Sequence, residues 1–429
     1  MGGTLHVIGA GLSGLSCALR AALAGRKTAI YEAAGRAGGR CRSFHDEALG
    51  RVIDNGNHLL LGANEAVKAY LADIGRADTL FEVKPATFPF LDLTTGERWE
   101  LRPAGGLLPF WMLDPSRRVA GSHLGDYLRD GLALSRAKPE HTVAERVSRT
   151  GVLFERLWQP MCRAVLNTDA TEASATLLWH VVAMTMLKGE AASRPMVIAQ
   201  GLSSTLIDPA TETLRRLGAA VRYQSRLRGI EHFRGRVTAL HFPEGLLRLD
   251  EGDAVVLAVP PDSCAELWPE ASPPRDSRAI VNAHYLVEGG VTLPGGLPFL
   301  GLVGAEAQWL FTRGDVLSVT VSAADEMSEE PGFELASRIW SECARALGRN
   351  VGRLPPWRII KEKRATFAQT PQAVAHRASS MTSLANLILA GDWTDTGLPA
   401  TIEGSVRSGF TAAETALAAM DRAGQEGTA

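Results

Sequence analysis

The chain has 429 residues, 45% of them apolar and 21% charged, with a formal net charge of −2. These values describe a globular protein of two domains or one elaborated one, and give no electrostatic basis for binding nucleic acid or another polyanion. Five widely spaced cysteines, with no Cys-x-x-Cys pair and no His/Cys cluster, argue for free thiols in a reducing compartment and against a disulfide framework or a metal site.

At the N-terminus an apolar run at 5–8 enters Gly9-x-Gly11-x-x-Gly14, an alanine- and leucine-rich segment at 15–24 ends at Gly25, and a second apolar run at 28–31 delivers Glu32. This reads as strand, tight turn, helix and strand, with a carboxylate at the second strand's tip. Gly9 allows the turn, Gly11 lets a pyrophosphate approach the backbone, and Gly14 lets the helix pack on the strand. The N–H groups around Leu12 and Ser13, with the positive helix start, favour bound phosphate. Glu32, followed by Ala33, lies 18 residues beyond Gly14, where a carboxylate can accept from a ribose. The pattern predicts a dinucleotide site without choosing the dinucleotide.

Gly38-Gly39-Arg40 follows. Alone it reads as a solvated basic turn; after a nucleotide strand, the spacing places Arg40 near the same pyrophosphate. The combination resembles the superfamily of amine oxidases, protoporphyrinogen oxidases and carotenoid-type desaturases. That resemblance implies non-covalent FAD and a Rossmann-like domain of the GR2 type. In the superfamily, the loop equivalent to Asp54-Asn55-Gly56-Asn57-His58 passes close to the isoalloxazine ring. The resemblance therefore makes Asn55, Gly56 and Asn57 candidate cofactor contacts, and Asp54 and His58 candidate catalytic groups. The alternative is structural: Asp54 caps the turn and His58 is a satisfied core histidine.

Residues 87–101 alternate in character around Gly96 and predict a hairpin. The seven apolar residues at 107–113 are too few to span a bilayer and read as core, or else as a tunnel mouth or monotopic contact. From 122 to 187 the pattern is mostly helical, with Thr142 and Glu145 spaced as a capping box. The segment 154–168, with Leu157-Trp158-x-Pro160 and Asn167-Thr168, and the loop 54–62 resemble one branch, the hydroxysqualene dehydroxylases of hopanoid biosynthesis. Asn57 stands where that branch is expected to carry glutamine.

Residues 202–217 predict a helix closed by Gly218, and 221–230 resemble the superfamily's return strand, whose backbone at Leu227 would clasp an adenine. The apolar run at 254–259 suits a central parallel strand. Runs at 279–287, 301–303, 310–313 and 316–321 suggest a sheet under a substrate chamber, 333–347 an amphipathic helix, and 365–375 an extended link. Near the end, a strand at 387–389 reaches Gly391-Asp392, and a helix follows Thr401-Ile402. Asp392 can accept from ribitol, and the amides of Thr401 and Ile402 can stabilise charge at the flavin's pyrimidine edge.

The expected fold is α/β: a parallel-sheet FAD domain from 1–85, 200–262 and 384–421, an α+β substrate domain from 86–199 and 263–383, and a loose tail at 422–429. The resemblance implies an apolar isoprenoid substrate, hydroxysqualene, reduced to squalene by hydride from reduced flavin. Asp54 or His58 would supply the proton, and NAD(P)H or a reductase the electrons. Rival readings are an oxidative desaturase or amine oxidase, a non-catalytic lipid carrier, and a plain NAD-dependent dehydrogenase. The lack of an eighteen-residue apolar run, and an opening strand with no room for a signal peptide, lead us to expect a cytoplasmic protein with peripheral contact at the inner face of the membrane.

Overall fold

The computed structural model describes residues 3–104 and 110–426. Five parallel strands form one sheet in the order Ala220–Arg222, Lys27–Tyr31, Thr4–Ile8, Ala254–Leu257 and Leu387–Leu389. The strands at 254–257 and 387–389 are buried throughout, as expected where both faces of a parallel sheet are covered. Helix Leu12–Leu23 covers one face and lies against helix Ile402–Glu426. Their approach is close at Gly409, where a Cβ would sit 2.0 Å from Ser16 Oγ. The last helix runs beyond residue 421, where a loose tail is expected, and Ala423 is buried.

A seven-stranded sheet takes the order Trp357–Phe367, Ser277–Leu286, Val316–Ser322, Trp309–Arg313, Phe299–Val303, Phe88–Asp92 and Arg98–Leu101. Its pairs are antiparallel except the one between Phe299–Val303 and Phe88–Asp92. Side chains alternate across it. Val281, Ala283, Leu317, Val319 and Val321 face helix Gly332–Ala346 and form one core with its Leu335 and Ile339. The intervening Asn282, His284, Ser318, Thr320 and Ser322 are polar and also buried. The strand Trp357–Phe367 begins before the expected link, and the link itself holds a short helix, Pro371–Ala375, capped by Thr370.

Helices Leu124–Ser135, Val143–Arg146, Gln159–Leu166 and Ala175–Met184 share a separate core with the hairpin strands. Glu145 accepts from the Thr142 N–H at 2.8 Å, the capping-box bond that the spacing predicts. A π-helical turn, Phe154–Trp158, feeds Gln159–Leu166, where Pro160 has no N–H to offer the previous turn. Residues 107–109 of the apolar stretch lie outside the described residues. Beyond them Trp111 and Met112 are buried, while Phe110 and Leu113 are exposed. All five cysteines are buried free thiols.

Candidate active site

The site begins at the glycine turn. Gly9 has φ +104°, and a Cβ there would meet Ala258 O at 2.3 Å; one on Gly14 would meet Gly9 O at 1.9 Å. Both glycines let the chain close on itself. Gly11 differs: it is extended, at φ −73° and ψ 179°, and nothing lies within 4 Å of its Cβ position. Its freedom serves whatever fills the cavity beside it.

That cavity has a volume of about 800 Å³, toward the upper end of the roughly 300–1,000 Å³ usual for ligand pockets. Gly9, Gly11, Leu12, Ser13, Glu32, Ala33, Gly38, Gly39, Arg40, Asn55, Gly56, Asn57, His58, Leu227, Gly391, Asp392, Thr401 and Ile402 all line it. Of the residues singled out from sequence, Gly14 and Asp54 do not. The same space continues between apolar walls: Phe88, Phe90 and Leu101 from the hairpin, Leu157, Met161 and Val165 from the helices, and Trp309 and Phe311 from the sheet.

Glu32 holds its own loop, accepting from Ala10 N at 2.7 Å and Ala34 N at 2.8 Å. Arg40 donates to Asp392 Oδ1 at 2.7 Å and to Ala365 O at 2.6 Å. It thus joins the N-terminal and C-terminal motifs, which are more than three hundred residues apart. The Gly391 N–H donates to Ser408 Oγ, which lies 3.2 Å from Ser13 Oγ, so a hydroxyl pair ties the start of helix Leu12–Leu23 to the second turn of helix Ile402–Glu426. The Leu227 backbone makes no hydrogen bond among the described residues. Its N–H and carbonyl remain available to a ligand.

Asp54 is buried and fully engaged. Its oxygens accept from Ser43 Oγ, from Leu202 N at 3.0 Å and from Arg313 Nη1 at 2.7 Å. His58, by contrast, lines the cavity and makes no hydrogen bond through its ring among the described residues. Burial pushes its imidazole below the usual 6.5, with nearby Arg40 adding to the shift and Asp54 opposing it.

Three supporting residues have no signal in the sequence. Arg377, 7% exposed, donates to the carbonyls of Leu398 at 2.6 Å, Asp392 at 2.9 Å, Trp393 and Thr394, and to Thr396 Oγ1. Gln369 accepts from Ala400 N and donates to Leu166 O, tying that loop to the helical layer. Glu403 accepts from the N–H groups of Ala66 and Val67, at the start of helix Glu65–Asp73. A lone arginine, glutamine or glutamate among polar neighbours reads as surface, and only long-range closure reveals its partners.

Comparison with known proteins decides the family. A family model described as flavin containing amine oxidoreductase matches residues 12–417. A hydroxysqualene dehydroxylase from Rhodopseudomonas palustris is 46% identical over 98% of this chain and 99% of its own, and one from Sinorhizobium fredii is 44% identical over 96% and 98%. The chain belongs to the flavin-containing amine oxidoreductases and, among them, to the hydroxysqualene dehydroxylases. Cyclohexylamine oxidase from Brevibacterium oxydans shares the fold at a TM-score of 0.71 and 16% identity, covering 98% of this chain and 99% of that one. This hydroxysqualene dehydroxylase family member is therefore an FAD-dependent oxidoreductase. The open space at Gly11, the unpaired Leu227 backbone and the two helix starts at Leu12 and Ile402 fit that cofactor.

Proposed function

We propose that the chain removes the hydroxyl of hydroxysqualene reductively, giving squalene, with the two halves of the cavity dividing the work. One observation carries the assignment to this site: the space beside the nucleotide motifs runs without interruption between aromatic and aliphatic walls. An elongated hydrocarbon can lie there with one end of its reacting region next to His58. In this reading segments 1–85, 200–262 and 384–421 hold FAD, and 86–199 and 263–383 hold the isoprenoid.

The cofactor-holding residues would be Gly9, Gly11, Leu12 and Ser13 at the first helix start, and Glu32 and Ala33 at the ribose. Gly38, Gly39, Arg40, Gly391 and Asp392 would serve the middle, Leu227 the adenine, and Asn55, Gly56, Asn57, Thr401 and Ile402 the ring end. Gly14 contributes through helix packing alone. When bound and reduced, FAD supplies a hydride. The overall change is an alcohol plus a proton plus a hydride, giving the hydrocarbon plus water.

The protein's own part is to deliver the proton and keep the site dry. His58 is the group placed to protonate the departing hydroxyl, since it lines the cavity and its ring makes no hydrogen bond among the described residues. Asp54 acts behind it: its charge favours the imidazolium that burial opposes. NAD(P)H or a separate reductase would reload the flavin. No helix among the described residues is long and apolar enough to cross a membrane, so access to a lipid-soluble substrate would come by peripheral contact at the cytoplasmic face.

The test is product analysis. Purified holoenzyme, reduced anaerobically and mixed with hydroxysqualene, should reoxidise its flavin and release squalene in equal amount. Fully flavin-loaded, reduced protein that forms no squalene would overturn the substrate assignment, and a dehydrogenated product from a parallel reaction with oxidised holoenzyme would reverse the direction of electron flow.

A further inference from the structure

The face of the seven-stranded sheet that looks toward the cavity carries buried polar side chains where an apolar substrate would favour none. Asn282 and Thr320, 1% and 8% exposed, both line the cavity. They face each other in register across adjacent strands, and Trp309 is Thr320's partner on its other side. Burying such groups costs stability unless their hydrogen bonds are made, and here they are made in one direction only.

The direction follows from an anchor that cannot rotate. The Asn55 backbone carbonyl can only accept, so Asn282 presents Nδ2 to it, at 3.1 Å. Asn282 Oδ1 is then left for the Thr320 hydroxyl, which donates to it at 2.8 Å. With its proton committed, Thr320 Oγ1 accepts from Asn57 Nδ2 at 3.0 Å. Asn57 Oδ1 ends the chain with no partner among the described residues, and Asn57 lines the cavity. His58 lies beside the same relay. A Cβ on Gly56 would be 3.5 Å from Asn282 Nδ2 and 3.7 Å from His58 Nε2.

We infer that Asn57, at the ring end of the cofactor part and oriented by Thr320 and Asn282 of the substrate part, is the point at which the substrate's hydroxyl is recognised, selecting the isoprenoid alcohol over the hydrocarbon it becomes. The inference rests on the functional reading above and names how that site distinguishes substrate from product. An alcohol can donate its proton to Asn57 Oδ1 while its oxygen accepts from His58. A hydrocarbon leaves both groups unpaired in a dry cavity, which penalises the product and favours its release. Thr320 and Asn282 are positioning residues: they hold the amide in the one orientation that presents an acceptor.

The experiment compares binding of hydroxysqualene and squalene to oxidised holoenzyme, read by fluorescence of Trp309, which lines the cavity. Wild type should bind the alcohol at least about tenfold more tightly than the hydrocarbon, since the alcohol makes two hydrogen bonds that the hydrocarbon lacks. Thr320→Val and Asn282→Leu, which each break the relay, should lower affinity for the alcohol and cut the ratio severalfold, with squalene affinity and flavin content retained. Thr320→Ser, which keeps the hydroxyl, should keep the ratio. Equal wild-type affinities would overturn the inference, as would Val and Ser variants that lose selectivity alike. If Thr320→Val does not fold, Asn282→Leu decides: an undiminished ratio in it would overturn the inference. A wild type that prefers the alcohol but forms no squalene leaves the recognition role standing and removes the catalytic reading instead.

Discussion

At the scale of single residues, the two groups that the loop 54–58 offers as acids are separated by their surroundings. Asp54 has three donors on its carboxylate and no face on the cavity. His58 lines the cavity and has no donor or acceptor on its ring among the described residues. Its folded-state pKa is lowered from 6.5, so it is mainly neutral at pH 7 and gains its proton on acidification. Single-turnover dehydroxylation by pre-reduced enzyme should therefore speed up as pH falls below about 6.5 and level off below the lowered pKa. His58→Ala should be slower, by roughly 100-fold, and flat over the same range. A wild-type rate that climbs with pH would exclude the role. The linkage has the opposite sign for stability. The unfolded histidine binds its proton more readily, so this residue's charging destabilises the fold as pH drops below about 6.5.

At the scale of elements, what could be read from the sequence was whatever carries a local pattern. The strand–turn–helix at the N-terminus, the strand at 254–257 and the helix at 332–346 announce themselves by periodicity and glycine placement. Trp357–Phe367 does not: Arg358, Lys361, Lys363 and Arg364 mask the alternation of this edge strand, and only its end, from residue 365, falls in the expected link. The loop 391–399 shows the same gap. Gly391-Asp392 is visible as a motif, but the guanidinium that organises it comes from Arg377, in the segment after the short helix. Losing it would strand several carbonyls in a buried site. Arg377→Met should cost about 3 kcal/mol of stability and expose the amides of 391–399 to faster hydrogen exchange, with weaker flavin retention as a consequence. Unchanged protection in that loop would show that Arg377 merely fills space.

At the scale of the whole molecule, the chain weaves its two sheets together. The central strand of the parallel sheet, Thr4–Ile8, is flanked by one neighbour close in sequence and one about 250 residues later, and the sheet's far edge arrives only at Leu387–Leu389. The small sheet of Leu59–Leu61, Leu80–Glu82 and Pro195–Ile198 binds a strand from the expected substrate segment to two from the expected cofactor segment. The Asn55–Asn282–Thr320–Asn57 relay and the Arg313–Asp54 pair cross the same boundary. With so many ties, neither part has an edge along which to separate, and the cavity has walls from both. Cofactor binding should then stabilise the assembly as one unit. Free FAD at a hundredfold excess over its dissociation constant adds about 2.7 kcal/mol, so the melting temperature should rise by a few degrees in a single transition. Near-ultraviolet circular dichroism, reporting Trp309 and Trp340 in the seven-stranded sheet and its helix, should move together with flavin release. Two separated transitions, the lower one indifferent to FAD, would mean that the substrate side folds on its own and that the shared ties contribute little.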